Sequence, residues 1–471
     1  MLIFKKVTNS DGAKLRRYYR NCSYGLCEYS VGTKMMWRDE LHPMYAEEAG
    51  CLIVKNLHQG QTVFDYPVPG PEGDEDAALT AIETWCLEQG IAPVISVVPD
   101  CKAAGLMTRY PYVKISNLRT WRDYLYDADA LGTFAGRKYS GQRNHINKFR
   151  AACPDAVFRV LTHDDSALID GFWADYDAVF TKDDKKAKSE LRYAKRTMAL
   201  AGKPWFCAGG MELNGRLISL ALGERCGDTL IVHIEKALYG YEGVYPATVQ
   251  AFAQAFSDGA RYSERARYIN REDDAADRGL RTSKLQYLPV KLAPKYCFEP
   301  ANELIHVPQI PELRTQRLTL SAITQEDAEP YYKLCMDRDR NRWWGYDDPA
   351  GVEGELCEDS FLRIAQADFE KRRAVNFAVR LEGKMIGEAI LYRFDYRGGA
   401  ELGCRIAPEY AGHGYGTEAF TAVAEWGLYK VHLARIVAKC FHENEASRKM
   451  LASCMRPNGQ DDTFYYFQKV V

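Results

Sequence analysis

Near the C-terminal end, the segment IAPEYAGHGYGTEAF places glycines at 412, 414 and 416 between a strand-like run ending at Ala407 and a helix-like run opened by Thr417 and Glu418. Residues without a Cβ let successive backbone N–H groups turn inward toward a phosphate, and the helix N-terminus adds partial positive charge. The same spacing serves a plain strand-to-helix turn, so both readings stand at this point. Glu401 lies on the strand leading to this loop, and Glu388 lies on the hairpin before it. A carboxylate at either position could serve as a general base, and it can equally be a surface group on a strand. Asn444 opens the helix after ARIVAKCFHE, where it also makes sense as an N-cap.

A different chemistry is written in the run Asn270-Arg271-Glu272-Asp273-Asp274, followed by Asp277, Arg281 and Lys284. Carboxylates beside Arg and Lys directly after a strand can position an amine or form a structural ion network. Upstream, Arg137, Lys138, Arg143, His145, Lys148 and Arg150 crowd one segment with Asn144, Tyr139 and Phe149 among them. Cations mixed with aromatics suit a phosphate-rich ligand, and a solvated helix with Ile146 and Phe149 as its apolar stripe fits the same residues. Glu235 in VHIEKA is a further candidate, and no HExxH metal spacing occurs.

The elements that must position these groups are legible in outline. A chain of 471 residues has room for about three domains of ordinary size. With 46% hydrophobic residues and 62 Lys+Arg against 64 Asp+Glu, wholesale disorder and a polyanion-binding tail are excluded. The longest apolar runs, such as Ile91 to Pro99, fall well short of the roughly 20 residues that span a bilayer. The N-terminus lacks the pattern of a signal peptide, and the 14 cysteines are scattered without a CxxC pair. A cytoplasmic protein with reduced thiols and no metal is therefore expected. Prolines at 289, 294, 300, 308 and 311 mark a seam that denies helix and central strand. They predict a linker over 298–311 between a region 1–297, softly broken near Pro154, and a domain 312–471. In that domain the pattern predicts strands, a hairpin turning at Glu382-Gly383, and helices on both faces of a mixed sheet.

The stretches RLTLSAITQEDAE, KMIGEAIL, AELGCRIAPEYAGHGYGTEA and HENEASRKML occur in the order and spacing of the GNAT acyltransferases. Residues from about Leu313 to Val471 resemble that family, specifically its ribosomal-protein N-terminal acetyltransferase-like branch. The resemblance implies acetyl-CoA as cosubstrate, bound by backbone amides of Ala411, Gly412, His413, Gly414, Tyr415 and Gly416, with Thr417 at the helix start. It further implies pantetheine along the splayed strand Leu402 to Ala407, beside Ile406, with Asn444 on the arm. Glu401 or Glu388 would then be the base. Ser447 would be the proton donor to the thiolate, because the tyrosine of many relatives is replaced by Leu451. Two departures stand out: Ala411 replaces an Arg or Gln, and no glycine separates Cys454 from Met455.

The stretches DYLYDADALGTFAGRKYSGQRNHINKF, IVHIEKALYGYEGVYPATVQAFAQAF and YINREDDAADRGLRTSKLQYLPVKL resemble the soluble domain of phosphatidylglycerol lysyltransferase and its relatives. That resemblance implies two tandem GNAT-like lobes and, in the lysyltransferases, an aminoacyl group taken from tRNA. Arg143, Asn144, Asn270, Arg271, Asp273, Arg281 and Lys284 are the substrate-site residues expected there. Together the expectations describe an α/β protein of three GNAT-like lobes. It would acetylate a small amine or protein N-terminus, with an N-terminal region for an acceptor or for aminoacyl-tRNA. The alternatives are an aminoacyl-tRNA-dependent transferase, or an N-terminal half that is a silent binding module.

Overall fold

The computed structural model describes residues 2–180, 185–258, 264–337, 339, 342–344 and 356–471. The chain divides into two compact units: 1–82, 93–105 and 115–298 form the first, and 83–92, 106–114 and 299–471 the second. Among the described residues, three eight-stranded mixed sheets organise them.

In the first sheet, β1 (Gln61–Asp65) and β2 (Ile95–Pro99) are parallel neighbours joined through helix α1 (Glu75–Glu88). The strand Lys295–Pro300 returns to this sheet and lies between Ile95–Pro99 and Val113–Ser116. This corrects the expected linker over 298–311, because part of it is an interior strand. Proline is tolerated because Pro294 precedes the strand and Pro300 ends it, so no ladder N–H is lost from its middle.

The second sheet begins at Asp123–Asp127 and includes β3 (Thr229–Ala237) and β4 (Tyr268–Asn270). The basic segment forms α2 (Ser140–Ala152), with Ile146 and Phe149 buried, and it packs on α3 (Val244–Ser257). The soft break expected near Pro154 is corrected as well. Val157–Val160 pairs with Phe206–Leu213 in this same sheet, so the lobes part before Asp123.

The third sheet lies in the second unit, where α4 (Ala328–Met336) and α5 (Ser360–Glu370) pack on one face. Its strands include β5 (Ala374–Leu381), β6 (Lys384–Tyr392) and β7 (Gly399–Ile406). Glu382 and Gly383 turn the β5–β6 hairpin with φ 49° and 83°, the paired left-handed geometry that matches strand twist. Helix α6 (Tyr415–Tyr429) buries Phe420, Val423 and Ala424 against Ala400 and Leu402 on the other face. Then come β8 (Arg435–Phe441), α7 (Glu445–Cys454), the exposed strand Arg456–Gln460 and β9 (Phe464–Val470). Met455 ends α7 in extended conformation at φ −136°, so this junction requires no glycine.

The two lobes of the first unit meet through buried ions. The carboxylate of Glu224 accepts from the N–H groups of Val31 and Gly32 at 3.0 and 2.7 Å. His233 lies between Glu224 and Glu272, with its Nδ1 2.9 Å from Glu272 and its Nε2 3.8 Å from Glu224. Gly32 must lack a side chain, because a Cβ there would come 2.2 Å from the imidazole. Burial alone would lower the His233 pKa, but the two flanking carboxylates, one hydrogen-bonded and one at ion-pair distance, raise it to about 9. With the folded value above the ordinary 6.5, this stabilisation is fully present below 6.5 and is lost as pH rises through about 9. Urea unfolding should therefore show the first unit losing on the order of 3 kcal/mol between pH 6 and pH 10. His233→Gln should be less stable at pH 6 and lack that slope; an equal slope in both proteins would remove His233 as its cause.

Candidate functional site

The parallel strands β7 and β8 are joined over a short stretch: Gly399 pairs with Arg435, Ala400 with Ile436, and Glu401 with Val437. Beyond Glu401 they diverge, while β7 stays paired to β6 on its other side through Ile406. Leu402 to Ile406 thus present an unpaired backbone edge to a wedge-shaped slot, suited to an extended amide-containing chain. The slot runs toward the loop at 411–414. Gly412 and Gly414 have φ 84° and 80°, and Gly414 caps α6. A Cβ on Gly412 would meet nothing within 4 Å, and one on Gly414 only the Arg317 Nη2 at 3.5 Å. Among the described residues no protein atoms fill the space beside Gly412, and the first N–H groups of α6 lie at this end without helical partners. Ala411, Gly412, His413 and Gly414 are exposed, while Tyr415, Gly416 and Thr417 are half-buried at the helix start.

Arg317 was not singled out from the sequence. Its guanidinium donates to the His413 carbonyl at 2.9 Å, pairs with Glu418 at 2.7 Å and lies 4.6 Å over the Tyr415 ring. A cation therefore borders the loop although position 411 is alanine. Arg317 lies far from the loop in sequence, so spacing alone gave no signal.

Glu401 sits at the vertex of the slot, its side chain 13% exposed, and accepts from the Tyr392 hydroxyl at 2.8 Å. Glu388 is placed differently. Its Oε1 accepts from Tyr331 at 2.6 Å and Asn376 at 2.7 Å, while its Oε2 is paired with Arg405 at 2.8 Å. Buried and fully engaged, Glu388 ties α4 to β5, β6 and β7 rather than offering a lone pair to a substrate. Asn444 caps α7 by accepting from the Ser447 N–H at 3.1 Å, and Leu451 is buried in the core. Ile406 and Cys404 line the α6 side of β7. Burial pushes the Cys404 thiol up to about 12, which keeps it protonated beside the slot.

The residues expected in the first unit separate into groups. Arg143 on α2 donates to the carbonyls of Phe134 and Gly136 at 2.5 and 2.6 Å, and Asn144 is exposed. Asn270 bridges Gly25 and Asp123, and Arg281 is paired with Asp274 at 2.8 Å. Lys284 donates to the carbonyls of Arg271, Glu272 and Asp273, and burial lowers its pKa. Arg271 bonds Glu235 at 2.6 Å and stacks 4.4 Å over Tyr287, yet its buried Nη1 has no hydrogen-bond partner among the described residues. Cys27, Glu28 and Asp123 converge as a conceivable ligand set, and the buried Lys295 ammonium, 2.7 Å from both carboxylates, takes the place of a cation there. Asp273 lies 3.7 Å from the same ammonium.

Residues 20–299 match the family described as phosphatidylglycerol lysyltransferase, C-terminal, and residues 317–454 match the acetyltransferase (GNAT) domain. Two curated relatives from Bacillus subtilis strain 168 are similar to the second region. The uncharacterized N-acetyltransferase YoaA is 28% identical over 30% of this chain and 80% of its own length. The uncharacterized N-acetyltransferase YnaD is 27% identical over 30% of this chain and 78% of its own length. A crystal structure of a conserved protein of unknown function from Bacteroides thetaiotaomicron VPI-5482 covers 64% of this chain and 99% of its own, at 26% identity and TM-score 0.53. With more than half of its length in the first match, the chain belongs to the phosphatidylglycerol lysyltransferase C-terminal family, and it carries an acetyltransferase (GNAT) domain behind that region.

Proposed function

We propose that the C-terminal domain transfers the acetyl group of acetyl-CoA to an amine, either a small amine or a protein N-terminus. The observation that carries this reading is the unpaired edge of β7 leading into a glycine loop whose concavity the protein leaves open. Acetyl-CoA supplies the acetyl group as an activated thioester. Backbone N–H groups from Gly412 to Gly416, the start of α6 and Arg317 would hold its pyrophosphate, while the Ala411 N–H is taken by the Pro408 carbonyl. Ile406 and Asn444 would border the pantetheine arm. Glu401, oriented by the Tyr392 hydroxyl, takes the proton of the acceptor amine directly or through water. Ser447 or water returns a proton to the departing sulfur. The free cysteines support a cytoplasmic setting.

A second reading concerns the first unit, as a region that binds an acceptor or an aminoacyl-tRNA donor. The unpartnered Nη1 of Arg271 favours it, because a buried guanidinium donor without a partner is costly unless a ligand oxygen completes it. The rival is a silent module that recruits tRNA, ribosome or peptide.

Calorimetry with acetyl-CoA tests the main reading, and no heat at high micromolar concentration would overturn it. Gly414→Val should weaken acetyl-CoA at least about tenfold by blocking backbone approach and straining a left-handed position. Unchanged affinity would refute the cradle. Glu401→Gln should lower turnover by about a hundredfold with little change in acetyl-CoA affinity, and unaltered turnover would remove Glu401 as the base. For the first unit, incubation with aminoacyl-tRNA should consume the ester bond, and Arg271→Lys should slow this. Aminoacyl-tRNA that stays intact favours the silent module.

A further inference from the structure

Opposite α6, the mouth of the slot is walled by aromatic rings. Trp344 follows α4 and lies over β7: a Cβ added to Gly403 would come 2.8 Å from its ring, and the Arg405 guanidinium stacks 4.9 Å from it. The neighbouring Trp343 reaches the other strand, 5.9 Å from the Phe441 ring at the end of β8. Phe441 in turn packs 4.5 Å from Phe464 of β9, with Tyr466 beyond it at 6.3 Å. Adjacent tryptophans therefore reach both strands of the slot where they diverge. Strand alternation puts Glu401 on the same face as Gly403 and Arg405.

Charges of both signs lie on this face. Glu401 is the carboxylate at the vertex, with Arg393 3.7 Å away. Lys439 lies 4.6 Å over the Phe464 ring, and Arg405 is committed to Glu388. The Asp461 carboxylate accepts from the Tyr466 hydroxyl at 2.6 Å and from the N–H groups of Thr463 and Phe464, bonds that hold it ionised. An amine can meet the Glu401 carboxylate at the vertex.

We infer that this site takes a primary amine carried on a flat, apolar or aromatic body. The inference rests on the acetyl-transfer reading. Trp343 and Trp344 supply the flat surfaces, with stacking geometry rather than hydrogen bonding as the selector. Glu401 receives the amine.

The test uses the full-length protein, calorimetry with acetyl-CoA, and thiol release with phenethylamine, n-butylamine and spermidine as acceptors. Phenethylamine should show kcat/KM about tenfold or more above the other two. Trp343→Ala should erase that advantage, with acetyl-CoA affinity unchanged. Spermidine or n-butylamine matching phenethylamine, an advantage that survives Trp343→Ala, or no turnover of any of the three by protein that binds acetyl-CoA would each overturn this inference alone. Failure to bind acetyl-CoA would overturn the acetyl-transfer reading and this inference with it.

Discussion

The second unit depends on an incomplete pairing. Parallel strands gain by hydrogen bonding along their full length, yet β7 and β8 stop at Glu401 and Val437. Backbone groups that end without partners are costly unless water or a ligand takes them. The slot, the placement of Glu401 and the approach to the glycine loop all follow from that divergence. Its rigidity comes from elsewhere: the Glu388 network fixes β5, β6 and β7 against α4, and α6 clamps the opposite face. A buried carboxylate with every lone pair used keeps the unpaired edge in register.

The first unit repeats the trace with a different outcome. β3 and β4 pair in parallel at Thr229, Leu230 and Ile231 and then diverge, and Gly243 caps α3 at φ 83°, close to the 80° of Gly414. The concavity, however, is filled by protein. A Cβ on Gly243 would come 2.1 Å from the His145 carbonyl of α2. One glycine faces open space and the other meets a neighbouring helix, so similar backbones give a vacant cradle in one lobe and a packing contact in the other. Function is decided by what occupies the fold, not by the fold.

The C-terminal domain was legible because its signals are local. The hairpin dipeptide, the helix periodicity and the glycine loop each lie within a short segment, and the structure keeps them in place. What escaped was set by distance along the chain. Arg317 reaches the loop from the turn before the strand Leu318–Ala322, Trp343 and Trp344 follow a helix far upstream, and Lys295 finds Glu28 and Asp123 across the first unit. Arg143 looked like a phosphate ligand because composition cannot show that carbonyls of Phe134 and Gly136 already hold its guanidinium. The strand Arg456–Gln460 was missed for a local reason, since Pro457 and Gly459 on a fully exposed edge carry no alternation.

The strand Lys295–Pro300 closes the first sheet only after the whole second sheet has been made, so the second lobe is an insertion within the first. During synthesis, Ile95–Pro99 must wait for about two hundred residues before its neighbour exists, a loop closure of high contact order. The second lobe can complete its own sheet by Ala293 and needs no such delay. A cut placed just before Lys295 would not separate domains. It would strip an interior strand from the first lobe and remove the ammonium that Glu28 and Asp123 were folded around, leaving an open edge prone to pairing with another chain.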